Sequence, residues 1–371
     1  TPYCEYVYMN FVDSLETMGH LSALEAATLR RARAETAEDV YTLATRFPGL
    51  MDIDATTLSA YAAPALSAAS LAEIRDLPDQ VPPASMTLGA LPTNDALDQS
   101  NDILSASPAP LSPVQVQLVS GPSIDLRPPV PWPIRDQWLR GTCVAHAVVA
   151  LAEHLRGGAS MSDFSEQFLF AHCKKLDGIP HSDGTWIDYA RQVLGAAMTG
   201  VCDEQQLRYN PTPVAADVGQ ISSLPALAPP VALTHVASSY ARLTAPPPPG
   251  RAAALAAMLN VGRPVAISVP VFYDPIVAGS NNWNVRSAVD FGEVLDPLRG
   301  MLAKGGHAVC VTGYFPDPTA AGGGWFVLRN SWSEHWGRRA GTAPRRPAPA
   351  PGYGAISAEY VERFVWEMCQ L

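Results

Sequence analysis

The sequence predicts an α+β fold in which a mainly helical half precedes a β-rich half, and a small all-α domain precedes both. Three observations carry this prediction. The run that follows Cys143 is apolar on nearly every side and contains no Gly or Pro, which is typical of a buried helix. The last third of the chain contains short, β-branched apolar runs that are typical of buried strands. The N-terminal part instead combines helix-capping residues with apolar residues at helical spacing.

The N-terminal region, residues 1–77, is expected to form a compact helical bundle that serves as a regulatory or adaptor domain and binds a protein partner. Thr36 and Asp54 are good N-cap residues, because their side-chain oxygens accept hydrogen bonds from the free backbone N–H groups of a first helical turn. The expected helices cover residues 21–34, 36–47, 54–61 and 71–77. Residues 78–123 are rich in Pro and small residues, a composition typical of a linker.

Residues 124–371 are expected to form the two halves, with a substrate cleft between them. The first half, about 124–232, contains the Cys143 helix and two further predicted helices, one starting at Ser165 and one starting at Trp186. The second half, about 233–371, is β-rich. Its predicted strands cover residues 265–271, 308–313 and 325–329.

Composition excludes several classes of function. The chain has 371 residues and a formal net charge of −10, which argues against nucleic acid, since its phosphates require a basic face. No apolar run reaches the length of a membrane span, so no membrane interaction is expected. No signal peptide is visible, although the chain begins with Thr, so a removed leader stays open.

The six cysteines are widely scattered, which favours a reducing, cytoplasmic location. A Cys173–Cys202 disulfide is one open alternative. No Cys/His pair has the spacing of a zinc site, and neither a metal nor another cofactor is expected.

Three residues that lie far apart in the sequence have the chemistry of a thiol acyl-transfer site. Cys143 lies at a predicted helix N-terminus, where the helix dipole and unpaired N–H groups favour a thiolate. His307 begins a predicted strand and Asn330 ends another. A thiolate can attack a carbonyl, an imidazole can carry the proton to the leaving amine, and an amide can hold the ring in place.

At this point the sequence resembles the papain-like cysteine peptidases. Five segments occur in the family's order: Gln137 with Gly141-Thr142-Cys143, Phe164-Ser165-Glu166-Gln167, Gly306-His307-Ala308-Val309, Asn330-Ser331-Trp332 with Trp336-Gly337, and Gly352-Tyr353-Gly354. The resemblance implies a papain-like two-subdomain fold and a cysteine endopeptidase that acts on protein or peptide substrates. It makes Cys143 the nucleophile, His307 the acid and base, and Asn330 the residue that orients the ring. It also implies that Gln137 contributes to the oxyanion hole and that Trp332 shields the His307–Asn330 hydrogen bond from water.

The resemblance also implies a substrate pocket. The family's glycine-rich cleft segment corresponds to residues 182–185, so Gly184 and Thr185 are expected to bind substrate. Trp186 is expected to form one wall of the pocket and Ala308 the opposite wall, which favours an apolar substrate side chain. Asp183 and Asp188 lie nearby in the sequence, so a basic side chain stays open as the alternative.

Several alternatives stay open. The N-terminal region occupies the place of an inhibitory prosegment but lacks the helix signature of papain-type propeptides, so an adaptor is favoured over a prosegment. Acyl transfer to an amine, giving peptide ligation, would use the same residues as hydrolysis. A non-hydrolytic interaction protein on the same scaffold is the alternative from another class.

Overall fold

The fold was analysed on a computed structural model. It describes residues 11–23, 25–26, 29, 34, 36–46, 54–68, 70–71, 88–92, 94–106, 122–128, 132–156, 163–195, 200–211, 239–242, 250–276, 279–341 and 347–371. The α-helices are α1 (Phe11–Thr17), α2 (Ala37–Arg46), α3 (Ala55–Ala62), α4 (Asn94–Ala106), α5 (Cys143–Arg156), α6 (Glu166–Asp177), α7 (Ile187–Leu194), α8 (Arg251–Asn260), α9 (Arg286–Phe291) and α10 (Ala358–Phe364). The strands are β1 (Ile124–Asp125), β2 (Ser239–Arg242), β3 (Val265–Tyr273), β4 (Leu302–Pro316), β5 (Gly324–Arg329), β6 (Tyr353–Ser357) and β7 (Glu367–Gln370).

The β-rich half is built on one antiparallel sheet with the strand order β2-β7-β3-β4-β5-β6, and β1 pairs with β4 outside this path. The central strands β3, β4 and β5 are buried along most of their length, as their near-continuous apolar sequences predict. In the register of β3 and β4, Val269 lies opposite His307 and Ser268 opposite Ala308. The sheet therefore fixes His307 in the interior of the molecule.

The helical half packs α5, α6 and α7 against this sheet. Nearly every residue of α5 is buried, and its apolar side chains share one core with Ala266 of β3 and with Ala308 and Cys310 of β4. A helix that is apolar all round is buried in this way because no face of it suits water. The predicted start of the next helix is confirmed, since Ser165 caps α6 by accepting from the Phe168 N–H at 3.0 Å.

The N-terminal helices do not form a separate core. Their buried residues belong to a cluster that also contains strands of the β-rich half. Val12, Val40 and Leu58 belong to the same buried cluster as the apolar residues of β3 and β4. Glu38 of α2 also forms an ion pair with Arg286 of α9. The predicted N-caps are confirmed here: the Asp39 N–H donates to Thr36 Oγ1 at 3.1 Å, and Asp54 accepts from two backbone N–H groups.

Three features differ from the predictions. Helix α4 lies within residues 78–123, which have the composition of a linker. His307 lies five residues after the start of β4 (307 − 302) and not at a strand start. The strand includes Gly305 and Gly306, which pair with Val271 and Pro270 of β3. Glycine is needed at 306 because a Cβ there would lie 2.4 Å from the Trp366 side chain. The Cys173–Cys202 disulfide, which the sequence left open as an alternative, does not form, since both thiols are free.

Some predictions fall outside the described residues. Most of the predicted helices over residues 21–34 and 71–77 lie there, as does much of the Pro-rich stretch before β2. Within the described ranges, no helix has the length and apolar character needed to cross a membrane. The same ranges contain no cluster of three or more His, Cys, Asp or Glu side chains suited to a metal ion.

Candidate active site

Cys143 is the first residue of α5, as its sequence context predicts. The turn before it is tight: the Thr142 N–H donates to Arg140 O at 2.9 Å, and a Cβ on Gly141 would lie 3.0 Å from the backbone nitrogen of Gly184. The thiol is fully buried, and the Ala308 N–H lies 3.4 Å from Cys143 Sγ. The sulfur therefore lies beside the residue that follows His307.

His307 is oriented by Asn330. Its Nε2 lies 2.8 Å from Asn330 Oδ1, an oxygen that also accepts the Ser331 N–H at 2.8 Å. Since that oxygen is an acceptor, Nε2 carries the ring proton and Nδ1 is left as a proton acceptor. Nδ1 is buried and has no hydrogen-bond partner among the described residues. The structure thus pairs His307 with Asn330 and places Cys143 Sγ against the neighbouring residue, Ala308.

Two tryptophans contact the imidazole, and a third packs against both of them. Trp332 stacks on the His307 ring with centroids 4.2 Å apart and an interplanar angle of 18°, and Trp283 meets the same ring edge-on at 5.1 Å. The Trp336 indole N–H donates to the carbonyl oxygen of Trp283 at 3.0 Å and holds it in place. The sequence analysis missed Trp283. Its flanking run, Asn281-Asn282-Trp283-Asn284, was the available signal, because buried amides of this kind fix loops by hydrogen bonds to the backbone.

Gln137 is buried and held in a fixed orientation. Its side-chain oxygen accepts from Ser331 Oγ at 2.6 Å, and its Nε2 donates to Arg140 O at 2.8 Å. The Gln137 N–H also donates to Ser331 O at 2.9 Å, so the backbone is tied to the Asn330 segment as well. Ser331 was part of a recognised motif but had no predicted role; it is the residue that sets the Gln137 amide.

A short extended segment, residues 88–91, covers the thiol; we call it the covering segment. It lies between two stretches of the cleft: the Ala90 N–H donates to Gly306 O at 3.1 Å, and the Leu91 N–H donates to Thr185 O at 3.0 Å. The Thr185 N–H in turn donates to Gly89 O at 2.9 Å. The backbone N–H groups of Gly89 and Ala90 act to lower the pKa of the Cys143 thiol. Cys143 is therefore sealed by this segment.

Glycine at position 89 is required by the close approach of two backbones. A Cβ on Gly89 would lie 2.0 Å from Gly141 O, a distance that no real side chain tolerates. Helix α4 follows and packs on the β-rich half. Asn101 Oδ1 accepts from the Ala303 N–H at 2.8 Å, and the Trp366 indole N–H donates to Ser100 Oγ at 3.2 Å.

The predicted pocket residues have separate environments. Gly184, Thr185 and Ala308 lie around the covered thiol, through the contacts given above. Trp186 is half-buried, and its ring meets Tyr189 edge-on at 5.8 Å, which places it against α7.

Burial controls the protonation of the covered site. It raises the pKa of the Cys143 thiol to about 11, although several backbone N–H groups, foremost that of Ala308, act in the opposite direction. Burial also lowers the pKa of His307 to about 4, against the hydrogen bond that its Nε2 donates to Asn330, which raises the pKa. At neutral pH the covered pair is thus a neutral thiol and a neutral imidazole. The thiolate expected at the start of α5 does not form while the site is covered.

A buried ionic cluster joins the two halves behind this site. Arg329, directly before Asn330, pairs with Glu153 of α5 at 3.1 Å, and both side chains are buried. Arg135 lies 3.6 Å from Glu153 and 3.7 Å from Glu166. Burial raises the pKa of Glu153 to about 7, with Arg329 acting to lower it. The cluster fixes the Cys143 helix relative to the strand that presents Asn330.

One family model and several solved structures match the chain. The model of the papain family cysteine proteases matches residues 121–343, more than half of the chain. Among solved structures, xylellain, a cysteine protease from Xylella fastidiosa, is 21% identical with a TM-score of 0.48, covering 76% of this chain and 94% of its own. Digestive procathepsin L 3 from the larval midgut of Tenebrio molitor is 18% identical with a TM-score of 0.42, covering 77% and 84%. No curated protein matches the chain. By the match to the family model, the chain belongs to the papain family of cysteine proteases.

Proposed function

We propose that the protein is a cysteine endopeptidase that acts through a Cys143 acyl-enzyme and that the covering segment keeps it latent. The observation that carries this proposal is the unused, buried Nδ1 of His307, whose other nitrogen is fixed on Asn330 at 2.8 Å while the adjacent residue contacts Cys143 Sγ. A general base with one oriented nitrogen and one vacant nitrogen beside a thiol is the arrangement that nucleophilic catalysis requires.

In the reaction, His307 Nδ1 takes the thiol proton and Cys143 Sγ attacks the carbonyl carbon of the scissile peptide. The oxyanion that forms is stabilised by the Cys143 N–H and by the second Nε2 hydrogen of Gln137. The imidazolium then gives its proton to the leaving nitrogen, the C–N bond breaks, and a thioester remains on Cys143. Water hydrolyses the thioester with His307 again acting as the base.

The covering segment is fixed in the cleft by backbone hydrogen bonds. Its Ala90 N–H donates to Gly306 O and its Leu91 N–H donates to Thr185 O. Its Gly89 carbonyl oxygen is occupied by the Thr185 N–H. These contacts, together with the docking of α4, favour an inhibitory prosegment over an adaptor for residues 88–106. Residues 1–77 then add to the docking through their shared core and the Glu38–Arg286 ion pair.

The test uses the full-length chain with Gly89→Leu, which displaces the covering segment because of the 2.0 Å approach at Gly141 O. We expect at least a tenfold rise in hydrolysis of a fluorogenic peptide over the parent chain, measured before any fragment is visible on gels. Adding Cys143→Ala to this variant should abolish the hydrolysis. Ala106→Leu, at an exposed position at the end of α4, is the control and should behave like the parent. Hydrolysis that persists after Cys143→Ala would overturn the proposal, as would a Gly89→Leu chain that leaves Cys143 unreactive towards an epoxide inhibitor.

A further inference from the structure

A fully buried ion pair lies at the end of α6, directly behind the cleft. Lys174 Nζ lies 2.9 Å from the Asp177 carboxylate, and both side chains have no exposed surface. Taking two charges out of water costs several kcal/mol per ion, and an apolar pair of similar size is often at least as stable. Stability alone therefore does not account for this pair. The other hydrogen bonds of Lys174 and Asp177 indicate which part of the structure the pair supports.

Those hydrogen bonds all lead to the loop that carries the cleft residues. Lys174 Nζ donates to Gly184 O at 2.8 Å, and Thr185 Oγ1 donates to Asp177 Oδ2 at 3.0 Å. Asp177 Oδ1 also accepts the Ile179 N–H at 3.0 Å, where the loop leaves the helix. The ion pair thus contacts the rear of residues 184–185, which we call the peptide edge.

The front of the peptide edge binds an extended backbone. Thr185 uses both its N–H and its carbonyl oxygen on the covering segment, with bonds of 2.9 and 3.0 Å to Gly89 O and the Leu91 N–H. Gly184 has a φ of +87°, a conformation that only glycine adopts without strain, and its carbonyl oxygen points back to Lys174. The loop needs an anchor of this kind, because the five described cysteines are free and no disulfide among them holds it.

We propose that Lys174 and Asp177 are positioning residues for substrate binding: they hold the peptide edge at the angle at which Thr185 pairs with the backbone of an extended peptide. The inference rests on the proposed function only for the identity of that peptide as a substrate. It predicts that loss of the pair weakens peptide binding and leaves the chemistry at Cys143 unchanged, because neither residue contacts the thiol, His307 or Asn330 among the described contacts.

The first test does not depend on activity. In a full-length Cys143→Ala chain, Lys174→Met with Asp177→Asn removes both charges together, so that no unpaired charge is left buried. We expect amide hydrogen exchange at Thr185 and Leu91 to accelerate about tenfold, equivalent to about 1.4 kcal/mol. The matched control replaces another buried pair, Arg363→Met with Glu359→Gln on α10, where these two amides should exchange as in the parent.

The second test uses the uncovered enzyme, with the same changes in a Gly89→Leu chain. We expect KM for a peptide substrate to rise about tenfold, with kcat and the rate of Cys143 alkylation by iodoacetamide within twofold of the parent. Thr185→Val removes only the hydrogen bond from the Thr185 hydroxyl to Asp177 and should also raise KM, by a smaller factor. If the double variant does not fold, this single variant tests the inference. Unchanged exchange and unchanged KM would overturn the inference, as would a fall in kcat at constant KM. If no chain hydrolyses peptide, the proposed function fails, and the exchange measurement still decides the role of the ion pair.

Discussion

The covering segment should control the ionisation of Cys143 as well as access to it. Burial raises the thiol pKa from 9.0 to about 11 in the covered chain. At pH 8 a thiol with a pKa of 9 is about 9% thiolate and one with a pKa of 11 is about 0.1%, so covering lowers the reactive fraction about 100-fold. Displacement of the segment by Gly89→Leu removes this effect, and the start of α5 together with His307 should lower the pKa further.

The assay is alkylation by iodoacetamide between pH 6 and pH 10.5, followed by mass spectrometry of the peptide that contains Cys143. In the parent chain the logarithm of the rate should rise linearly with pH and reach no plateau below about pH 10.5. In the Gly89→Leu chain it should level off at or below about pH 9. The buried thiols of Cys173 and Cys310 are internal controls and should stay unlabelled in both chains.

Steric protection and a raised pKa are distinguished by the shape of these profiles. A segment that only blocks access lowers the rate by the same factor at every pH and leaves the plateau where it is. A segment that excludes water moves the plateau itself. Equal plateau positions in the two chains would refute the electrostatic reasoning, even if the parent reacts more slowly throughout.

Three further predictions concern the residues around the thiol. Burial lowers the pKa of His307 from 6.5 to about 4, so the covered state is fully favoured above pH 6.5. That preference falls about 160-fold by pH 4 and about 300-fold well below pH 4. Hydrogen exchange of the covering segment, corrected for intrinsic rates, should show this opening, and His307→Gln should abolish it. Arg329→Met leaves Glu153 buried without its arginine partner and should lower the free energy of unfolding, measured in urea, by about 3–5 kcal/mol. Adding Glu153→Gln should restore most of the lost free energy. A loss below about 1 kcal/mol would contradict the stabilising role of the pair. Ser331→Ala releases the Gln137 oxygen and should lower kcat about tenfold at nearly constant KM; a KM effect as large as the kcat effect would contradict it.

Local patterns predicted the elements that carry the site. The apolar run after Cys143, the cap at Ser165 and the β-branched runs around His307 and before Asn330 each depend on residues close in sequence, and each element is confirmed. The pairing of His307 with Asn330 and the stacking of Trp332 were implied by the family resemblance, and the structure has both contacts. These features depend on short-range propensity or on a recognised order of motifs.

The features that sequence analysis missed depend on contacts between distant residues. Helix α4 lies in a segment whose overall composition is that of a linker, but its Ser100 and Leu104 are buried against the protease half, so tertiary contacts decide its structure. Gly89 is one small residue in a sequence with 27 glycines, and only its 2.0 Å approach to Gly141 O shows why it is glycine. The raised pKa of Cys143 was missed for the same reason, since the covering segment that helps to bury the thiol lies more than 50 residues away (143 − 91 = 52).

The state of the covered site follows from a competition between two effects at one sulfur atom. The N–H groups of Ala308, Gly89 and Val144 and the first turn of α5 all favour a thiolate, while the loss of water disfavours it, and burial is the larger effect. Uncovering reverses the balance, because the Gly89 and Ala90 donors leave but water returns, and the donors that remain belong to the protease half itself. Under the proposed function, the same arrangement of Cys143 and His307 is therefore neutral when covered and prone to proton transfer when open. The proposed latency then requires no distortion of either residue.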